Sequence, residues 1–355
     1  MFETLAIQSS RSVYHVEFSI AADFLENRMS TSDIVLIDDT VMSLYPTMIP
    51  DSVPPERVLS LRPTENLKTY LQIGSIIEQI LDLGITKSNQ IVAIGGGIIQ
   101  DVSSFSSSII HRGIPWIFVP TTLLTQCDSC IGSKNSVNTQ TGKNQLGCFW
   151  PPTAICVDFK FLSSLDVREL KSGLGEMLHY FFSTPAMPPN VDQLFKTILM
   201  DPRTPASRHA LNGLITESLA IKKRIIEVDE FDTGERNLFN FGHSFGHALE
   251  VATGYSMPHG IAVSFGMRIA AVISVELGLA KLSDFSQLRA LTALIIDGER
   301  PSEVDINIFA SALRKDKKNT QSNINVILSK GQGRLVKHQL KLTETILDLI
   351  RREVS

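Results

Sequence analysis

The sequence has few cysteines and no long apolar run. Its 355 residues contain four cysteines, and the amino terminus lacks a basic stretch followed by an apolar core, so we expect no secretory signal and a cytoplasmic protein with reduced thiols. No stretch approaches the ~20 apolar residues that a membrane helix needs, which argues against a membrane protein. Cys127 and Cys130 have CxxC spacing, but a second such pair is lacking, so structural or incidental thiols are favoured over a redox or zinc site.

An excess of charge of either sign is also lacking. The chain has 33 Lys and Arg against 37 Asp and Glu, a net charge of −4. The densest basic cluster comprises only Arg314, Lys315, Lys317 and Lys318, which argues against nucleic acid or a membrane surface as a partner. The composition is still compatible with a local basic pocket for a small anionic substrate. With 43% hydrophobic residues the chain is expected to be globular, and its length predicts about two domains.

Short β-branched runs alternate with a helical pattern in the first half of the chain. The predicted strands are Ile34 to Asp38, Arg57 to Leu61, Gln90 to Gly95, Pro115 to Pro120 and Ala154 to Asp158. A helix is predicted from about Glu65 to Leu83, with an apolar stripe that includes Leu67, Leu71 and Leu81. This alternation is typical of a parallel α/β sheet, and the second half shows long helical patterns. We therefore predict an α/β domain over residues 1–160 and a helical domain over residues 161–355.

Three consecutive glycines, Gly95, Gly96 and Gly97, follow a buried apolar strand and precede a helical run that contains Asp101. Glycines at the carboxyl end of a strand let a phosphate approach the backbone and the N–H groups of the next helix. A dinucleotide pyrophosphate fits such a turn. The pattern is not GxGxxG, because Gln100 occupies the place of a later glycine, so an ordinary tight turn remains the alternative.

A dense polar segment follows Thr121 and Thr122, which close the next strand. It runs from Asp128 to Asn144 and has hardly any large apolar side chains, so it cannot be core. Lysine and asparagine side chains at this density suit the oxygens of phosphates and polyols. An exposed loop without a ligand is the alternative.

Two histidines four residues apart, His243 and His247, lie on one face of a predicted helix, and His259 follows twelve residues later. Catalytic zinc takes three protein ligands and keeps one position open. The spacing resembles the zincin pair, but no glutamate follows the first histidine, so a protease lacks its general base. Glu176, at a glycine-rich helix start, is the best candidate for a third ligand, and histidines without a metal are the alternative.

Taken together and in this order, these segments resemble the dehydroquinate synthase family of sugar phosphate cyclases. The likeness runs from about residue 34 to residue 330 and is more specific than any single motif. Its motifs include Pro63-Thr-Glu65-Asn-Leu-Lys68, Gly95-Gly-Gly-Ile-Ile-Gln-Asp101, Asp128-Ser-Cys-Ile-Gly-Ser-Lys134, Gly142-Lys143-Asn144, Gly173-Leu-Gly-Glu176, Arg236-Asn-Leu-Phe-Asn240-Phe-Gly-His243 and Pro258-His259-Gly260.

The resemblance implies a Rossmann-like NAD-binding α/β domain, an all-α metal-binding domain, an active site in the cleft between them, and a homodimer. The implied metal is Zn²⁺, with Co²⁺ as an alternative, and its implied ligands are Glu176, His243 and His259. The implied cofactor-side residues are Asp38, Glu65, Lys68, Gly96, Gly97, Asp101, Thr121, Thr122, Asp128 and Lys143. The implied catalytic residues on the substrate side are Lys134, Asn144, Lys222, Arg236, Asn240, Lys318, His179, His247 as a phosphate-binding or proton-relay group, and Arg112, which reaches the neighbouring subunit's site.

The family's reaction is a phosphate elimination without net oxidation. It implies transient oxidation of a ring hydroxyl by NAD, loss of phosphate, reduction, ring opening and an aldol step that closes a carbocycle. For the dehydroquinate-forming members, the substrate is a phosphorylated heptulosonate and the pathway is the shikimate route to aromatic amino acids.

Two residues point to different substrates. Arg236 suits a carboxylate and favours the dehydroquinate reaction. His179 stands where the dehydroquinate-forming members usually have lysine, and this favours a relative that acts on sedoheptulose 7-phosphate or glucose 6-phosphate. The nearest rival class is the iron-type alcohol dehydrogenases, whose usual metal set of one Asp and three His differs from the set here. A binding protein without activity is disfavoured, because all three ligand positions are retained.

Overall fold

The computed structural model describes residues 4–140, 142–299, 301, 304–315 and 323–354. The chain forms two compact units. Unit 1 is the chain up to Ser164 together with Lys223–Phe231, and unit 2 is Leu165–Lys222 and the chain from Asp232 onward. The division predicted at residue 160 differs from this one, because it places Lys223–Phe231 in the second domain and not in unit 1.

Unit 1 is an α/β domain built on a seven-stranded sheet. The strand order is β1-β2-β7-β6-β5-β3-β4, in which β1 is antiparallel to β2 and all other neighbours are parallel. The strands are β1 (Thr4–Gln8), β2 (Val13–Phe18), β3 (Ile34–Asp38), β4 (Val58–Leu61), β5 (Ile91–Gly95), β6 (Trp116–Pro120) and β7 (Ala154–Val157), and the helices are α1 (Ala21–Arg28), α2 (Asp39–Leu44), α3 (Tyr70–Asp82) and α4 (Gly97–Ile109).

The five predicted strands are confirmed, each to within one residue at either end. Successive residues of β5, from Ile91 to Ile94, are all fully buried, so both faces of the sheet are covered. Such strands read as continuous apolar runs, which is why the sequence reveals them. The first two strands were not predicted, because β1 and β2 are short and only alternate between buried and exposed residues.

The predicted start of the helix at Glu65 is wrong. Helix α3 begins at Tyr70 and buries Ile73, Ile76 and Ile80, while Leu71 and Leu81 of the predicted stripe are exposed. The segment before it forms turns, and the N–H of Tyr70 donates to the carbonyl of Asn138 at 3.1 Å. This long-range contact makes the helix begin later than periodicity alone indicates.

The return segment Lys223–Phe231 packs on the start of the chain. Oε1 of Glu227 accepts a hydrogen bond from the N–H of Gln8 at 2.7 Å. The carboxylate of Glu230 accepts from Oγ of Ser9 and from the N–H of Ser10, each at 2.8 Å. The segment thus supplies two carboxylates that the β1–β2 hairpin uses.

Unit 2 is mostly helical. Its helices are α5 (Val167–Ser183), α6 (Val191–Met200), α7 (Pro205–Val228, whose end belongs to unit 1), α8 (His243–Ala252), α9 (His259–Glu276), α10 (Ser286–Ile296), α11 (Ile306–Lys315) and α12 (Glu344–Val354). The fold class is confirmed, and the structure adds an antiparallel hairpin of β8 (Ile324–Ser329) and β9 (Leu335–Leu340) that the helical patterns did not indicate.

Helix α9 is the core of unit 2 and packs against α5, α8, α10 and α12. By length and composition it is the one helix in the described residues that could cross a membrane, but 72% of it is buried inside the protein. A buried core helix passes the same test of length and apolarity, so this finding is weak evidence for a membrane span.

The backbones of α5 and α9 touch through two glycines. A Cβ atom on Gly175 would lie 2.1 Å from the carbonyl oxygen of Gly260, and one on Gly260 would lie 1.8 Å from that of Ser172. The N–H of Gly260 donates to Oγ of Ser172 at 3.0 Å. Since Glu176 follows Gly175 and His259 precedes Gly260, this contact fixes the distance between two residues predicted to bind metal.

Candidate functional site

The carboxyl ends of three adjacent parallel strands carry predicted cofactor residues. Asp38 ends β3, Gly96 follows β5, and Thr121 follows β6. Ligands of parallel α/β sheets bind at this edge. The structure therefore brings these three positions to one edge of unit 1.

Helix α4 begins at this edge without a side-chain cap. It starts at Gly97, and Gly96 is its N-cap. A Cβ atom on Gly97 would meet nothing within 4 Å, whereas one on Gly96 would touch Thr122 at 3.0 Å. Free space beside uncapped helical N–H groups fits the pyrophosphate of a dinucleotide.

Asp38 also caps a helix. Its Oδ1 accepts from the N–H of Thr40 at 2.8 Å and of Val41 at 3.4 Å, at the start of α2. The pKa of Asp38 is raised, first because burial desolvates the carboxyl, and these two N–H groups hold part of that rise back. The second oxygen remains for a ligand such as a ribose hydroxyl, the role of an acidic residue in dinucleotide sites.

A partly buried polar network connects Lys68 and Asp101 to the polar segment. Nζ of Lys68 is 2.5 Å from Oδ2 of Asp101 and donates to Oδ1 of Asn144 at 2.8 Å. Asp101 also accepts from the N–H of Ser136 at 2.9 Å. The pKa of Asp101 is raised, mainly by desolvation, and Lys68 offsets part of that effect. Two predicted cofactor residues and one predicted substrate residue thus form one cluster.

The other predicted residues of the polar segment lie nearby or on its surface. Nζ of Lys143 is 3.0 Å from Oε1 of Glu65, whose Oε2 accepts from Asn138 at 2.8 Å. Asp128 lies in a π-helical turn, Thr125–Ser129, and Lys134 is exposed. π-Helical turns are frequent at functional sites. The turn also holds Cys127, and both it and Cys130 are buried and outside any disulfide, as expected of structural thiols.

Arg112 lies in an exposed loop with unusual backbone. His111 has φ 50°, Arg112 has φ 63° and Gly113 has φ 117°, three left-handed residues in a row. Non-glycine residues rarely adopt this conformation, and strain of this kind clusters at functional sites. The loop presents the Arg112 side chain to solvent.

The three predicted metal ligands converge in unit 2, where Glu176 lies on α5, His243 on α8 and His259 on α9. One ligand atom from each lies within 4.8 Å of the others. Nε2 of His243 is 3.6 Å from Oε2 of Glu176, and Nε2 of His259 is 3.3 Å from Oε1. Tetrahedral zinc with ligands at ~2.0–2.1 Å separates neighbouring ligand atoms by about 3.4 Å, which these distances match.

The electrostatics of this cluster also fit a divalent cation. Burial raises the pKa of Glu176, but His243, His259 and His179 lower it, and the net pKa lies well below the ordinary value. Among the residues that the structure describes, Oε1 of Glu176 and Nδ1 of His243 are buried without a hydrogen-bond partner. A buried carboxylate of this kind needs positive charge close by.

Two more histidines flank the cluster. The His247 ring stacks on the His259 ring with centroids 5.4 Å apart, and its pKa is lowered to about 4, first by desolvation and then by His259 and His243. The His179 ring stands edge-on to that of His243, with centroids 4.6 Å apart, and is 1% exposed. His247 is therefore mainly neutral near pH 7, as a proton acceptor requires.

The remaining predicted substrate residues lie elsewhere in unit 2. Lys222 is buried on α7. Arg236 and Asn240 lie in the short helical segment Glu235–Asn240 that precedes His243, and Nδ2 of Asn240 donates to the carbonyl of Asn237 at 3.0 Å. The predicted residue Lys318 lies outside the described residues.

Two glutamates beside these sites were not predicted. Glu230 binds the β1–β2 turn, and Oε2 of Glu250 is 3.2 Å from Nδ1 of His259. Glu250 lies seven residues after His243, hence on the same helix face, and this spacing could have drawn attention to it. No local sequence signal marks Glu230.

Comparisons with known proteins find relatives over most of the chain. Residues 58–172 match the family described as 3-dehydroquinate synthase N-terminal, and residues 173–319 match 3-dehydroquinate synthase C-terminal. The 3-dehydroquinate synthase of Alkaliphilus metalliredigens is 34% identical over 313 residues, which cover 84% of each chain.

Solved structures share the fold over almost the whole chain. A 2-deoxy-scyllo-inosose synthase complexed with carbaglucose-6-phosphate, NAD⁺ and Co²⁺ has a TM-score of 0.85 at 24% identity and covers 98% of this chain and 99% of its own. The 2-epi-5-epi-valiolone synthase of Streptomyces hygroscopicus subsp. jinggangensis 5008, with NAD⁺ and Zn²⁺ bound, has a TM-score of 0.82 at 22% identity and covers 99% of both chains.

The rival class shares the plan less closely. The iron-containing alcohol dehydrogenase of Thermotoga maritima has a TM-score of 0.61 at 13% identity, with 96% of this chain and 97% of its own covered. The family matches span both units, and the relative of 34% identity covers most of the chain. The resemblance drawn from the motifs is confirmed, and the chain belongs to the 3-dehydroquinate synthase family.

Proposed function

We propose that this chain is a sugar phosphate cyclase of the 3-dehydroquinate synthase type. It is a carbon–oxygen lyase that uses NAD and zinc and converts 3-deoxy-arabino-heptulosonate 7-phosphate to a carbocycle with loss of phosphate. The observation that carries the proposal is the convergence of Glu176, His243 and His259 in a member of this family. Relatives named 3-dehydroquinate synthase, and cyclases solved with NAD⁺ and Co²⁺ or Zn²⁺, support it.

The two units contribute different parts of this chemistry. When bound, NAD supplies reversible hydride transfer and zinc supplies Lewis acidity at a substrate hydroxyl. Unit 1 offers the uncapped start of α4 for the pyrophosphate, and Lys68 and Asp101 order the polar segment beside it. Unit 2 holds the metal with Glu176, His243 and His259.

Side chains other than the metal ligands suit the substrate. The guanidinium of Arg236 offers paired N–H donors for the carboxylate of a heptulosonate. Lys222 and Lys134 offer point charges for its phosphate. His247, with its lowered pKa, can take a proton near pH 7 without first losing one.

A second candidate substrate class rests on His179. Its ring is buried against that of His243, at a position where dehydroquinate-forming relatives usually carry a lysine ammonium. This replacement removes a fixed positive charge and favours a sugar phosphate without a carboxylate, sedoheptulose 7-phosphate or glucose 6-phosphate. Arg236 favours the heptulosonate, because neither of those two sugar phosphates has a carboxylate to bind it.

The deciding experiment measures inorganic phosphate released from each of the three sugar phosphates by purified protein with NAD and zinc. We expect release from the heptulosonate and little from the other two. Release only from a sugar phosphate without a carboxylate would place the chain in the second substrate class. No release from any of them, with zinc and NAD bound, would contradict all three substrates. Accumulation of NADH with an alcohol substrate would instead favour the dehydrogenase class.

We also propose that the protein is a cytoplasmic homodimer in which Arg112 reaches the active site of the neighbouring subunit. Each subunit has a cofactor-binding domain up to about residue 160 and a metal-binding domain after it. The exposed, left-handed backbone at Arg112 supports this role. Sedimentation measures the assembly, and mixing tests the sharing of residues. Two inactive variants, R112A and H243A, should regain activity when mixed if each site draws Arg112 from its neighbour, and should stay inactive if it does not.

A further inference from the structure

The two nitrogens of the His259 ring face different carboxylates. Nε2 lies 3.3 Å from Oε1 of Glu176, on the side of the proposed metal. Nδ1 lies 3.2 Å from Oε2 of Glu250, with hydrogen-bond geometry. The ring therefore bridges the metal ligands and a glutamate that has no role in the proposed reaction.

The helix geometry explains why Glu250 can reach this ring. His243, His247 and Glu250 stand at positions i, i+4 and i+7 of α8 and so form one row along its face. His259 is the first residue of α9, and its ring stacks on that of His247 with an interplanar angle of 23°. The His259 ring therefore lies beside the row of side chains that runs from His243 to Glu250.

We propose that Glu250 is a positioning residue that holds His259 as a metal ligand. An ionised carboxylate only accepts hydrogen bonds, so the Nδ1 that faces it carries the proton. The lone pair of His259 is then on Nε2, directed to the side of Glu176 and His243. The same hydrogen bond restricts rotation of the ring and raises its basicity, as carboxylates behind metal-bound histidines do.

This inference rests on the proposed function, because it requires a metal at Glu176, His243 and His259. One competing interpretation is a second metal held by His247, Glu250 and His259, whose ligand atoms also lie within 4.8 Å of one another. His259 could serve two ions only as a deprotonated ring that bridges them. The hydrogen bond needs only the neutral ring, and it matches the 3.2 Å separation.

The test measures zinc affinity and the tautomer of His259 in three variants. Glu250→Ala removes the acceptor, Glu250→Gln keeps one acceptor oxygen, and Glu276→Ala changes an exposed glutamate at the other end of α9 as a control. Zinc dissociation constants come from competition with a chromophoric chelator. The tautomer comes from ¹⁵N–¹H correlation spectra of the metal-free protein, with His259 assigned by substitution.

We expect Glu250→Ala to weaken zinc binding about 10- to 100-fold and to abolish the preference for the Nδ1–H tautomer. Glu250→Gln should lose less, and Glu276→Ala should match the wild type. Excess zinc should restore the turnover of Glu250→Ala, because a positioning residue does not touch the substrate.

Several results would overturn the inference. One is an unchanged zinc dissociation constant in both Glu250 variants. Another is two zinc ions per wild-type chain with one lost in Glu250→Ala, which would establish the second metal site instead. A wild type that binds no zinc overturns both this inference and the proposed function. If zinc binding responds as expected while no sugar phosphate releases phosphate, only the proposed function fails.

Discussion

Replacement of Gly175 by alanine tests whether the contact between α5 and α9 sets the geometry of the metal cluster. The added Cβ would lie 2.1 Å from the carbonyl oxygen of Gly260, 2.6 Å from its carbonyl carbon and 2.8 Å from Oγ of Ser264. Contacts below 3.0 Å are not tolerated, so the helices must separate by about 1 Å. Most of the obstructing atoms belong to backbone, which cannot move aside as a flexible side chain would.

The expected magnitude follows from two opposing effects. Alanine favours a helix over glycine by about 0.8–1.0 kcal/mol. Overpacking costs typically about 1–3 kcal/mol and here should exceed that gain, so the free energy of unfolding should fall. A shift of about 1 Å is also several times the ~0.2 Å tolerance of metal–ligand distances. Zinc affinity should therefore drop at least tenfold, because Glu176 moves with Gly175.

Chemical denaturation and a zinc competition assay measure both effects. Gly213→Ala is the matched control, since Gly213 is an exposed glycine of α7 and a Cβ there would meet nothing within 4 Å. We expect this control to be neutral or slightly more stable and to keep its zinc. If Gly175→Ala behaves like Gly213→Ala in both assays, the helix contact does not set the ligand geometry and the reasoning is refuted.

Three further predictions concern single side chains. His243→Ala should lose both bound zinc, measured by mass spectrometry of the metal, and turnover; an active, zinc-replete variant would contradict the ligand assignment. Lys68→Met should leave Asp101 without its cation and raise the pKa of Asp101 further. The variant should bind NAD at least tenfold more weakly in calorimetry and lose up to about 3 kcal/mol of stability. An unchanged NAD affinity would show that this network does not act on the cofactor. In the metal-free protein, the pKa of His247 is lowered from 6.5 to about 4, so its contribution to stability should be complete above pH 6.5 and be lost as the pH falls through about 4. His247→Gln should flatten that part of the pH profile, and an NMR titration that finds an ordinary pKa for His247 would contradict it.

The sheet of unit 1 could be predicted because each buried strand has a recognisable local sequence. The strands β3, β5, β6 and β7 are buried on both faces and therefore appear as short, continuous apolar runs. The start of α3 could not be predicted in the same way. The turns before Tyr70 are held by Asn138, which lies far along the chain, and periodicity carries no information on such a contact.

The metal cluster shows the same limit. The row of His243 and His247 is visible in the sequence, because both lie on one helix. Glu176 comes from another helix, and its place in the cluster depends on the close approach of Gly175 and Gly260. Its glycine-rich, apolar surroundings made it the best candidate for a third ligand, and the order of many motifs assigned it as one. Glu250 stayed unassigned, since its partner is a ring on a different helix.

The return of Lys223–Phe231 to unit 1 has a consequence for folding during synthesis on the ribosome. The N–H groups of Gln8 and Ser10 receive their carboxylate acceptors from Glu227 and Glu230, and the ring of Phe231 packs edge-on against that of Phe149 at 4.9 Å. The amino-terminal sheet therefore cannot make its last contacts until Phe231 has been synthesised. By then, three helices of unit 2 have begun to emerge from the ribosome. A fragment that stops at Ser164 lacks these groups, so the two units are not separable genetic modules at that point.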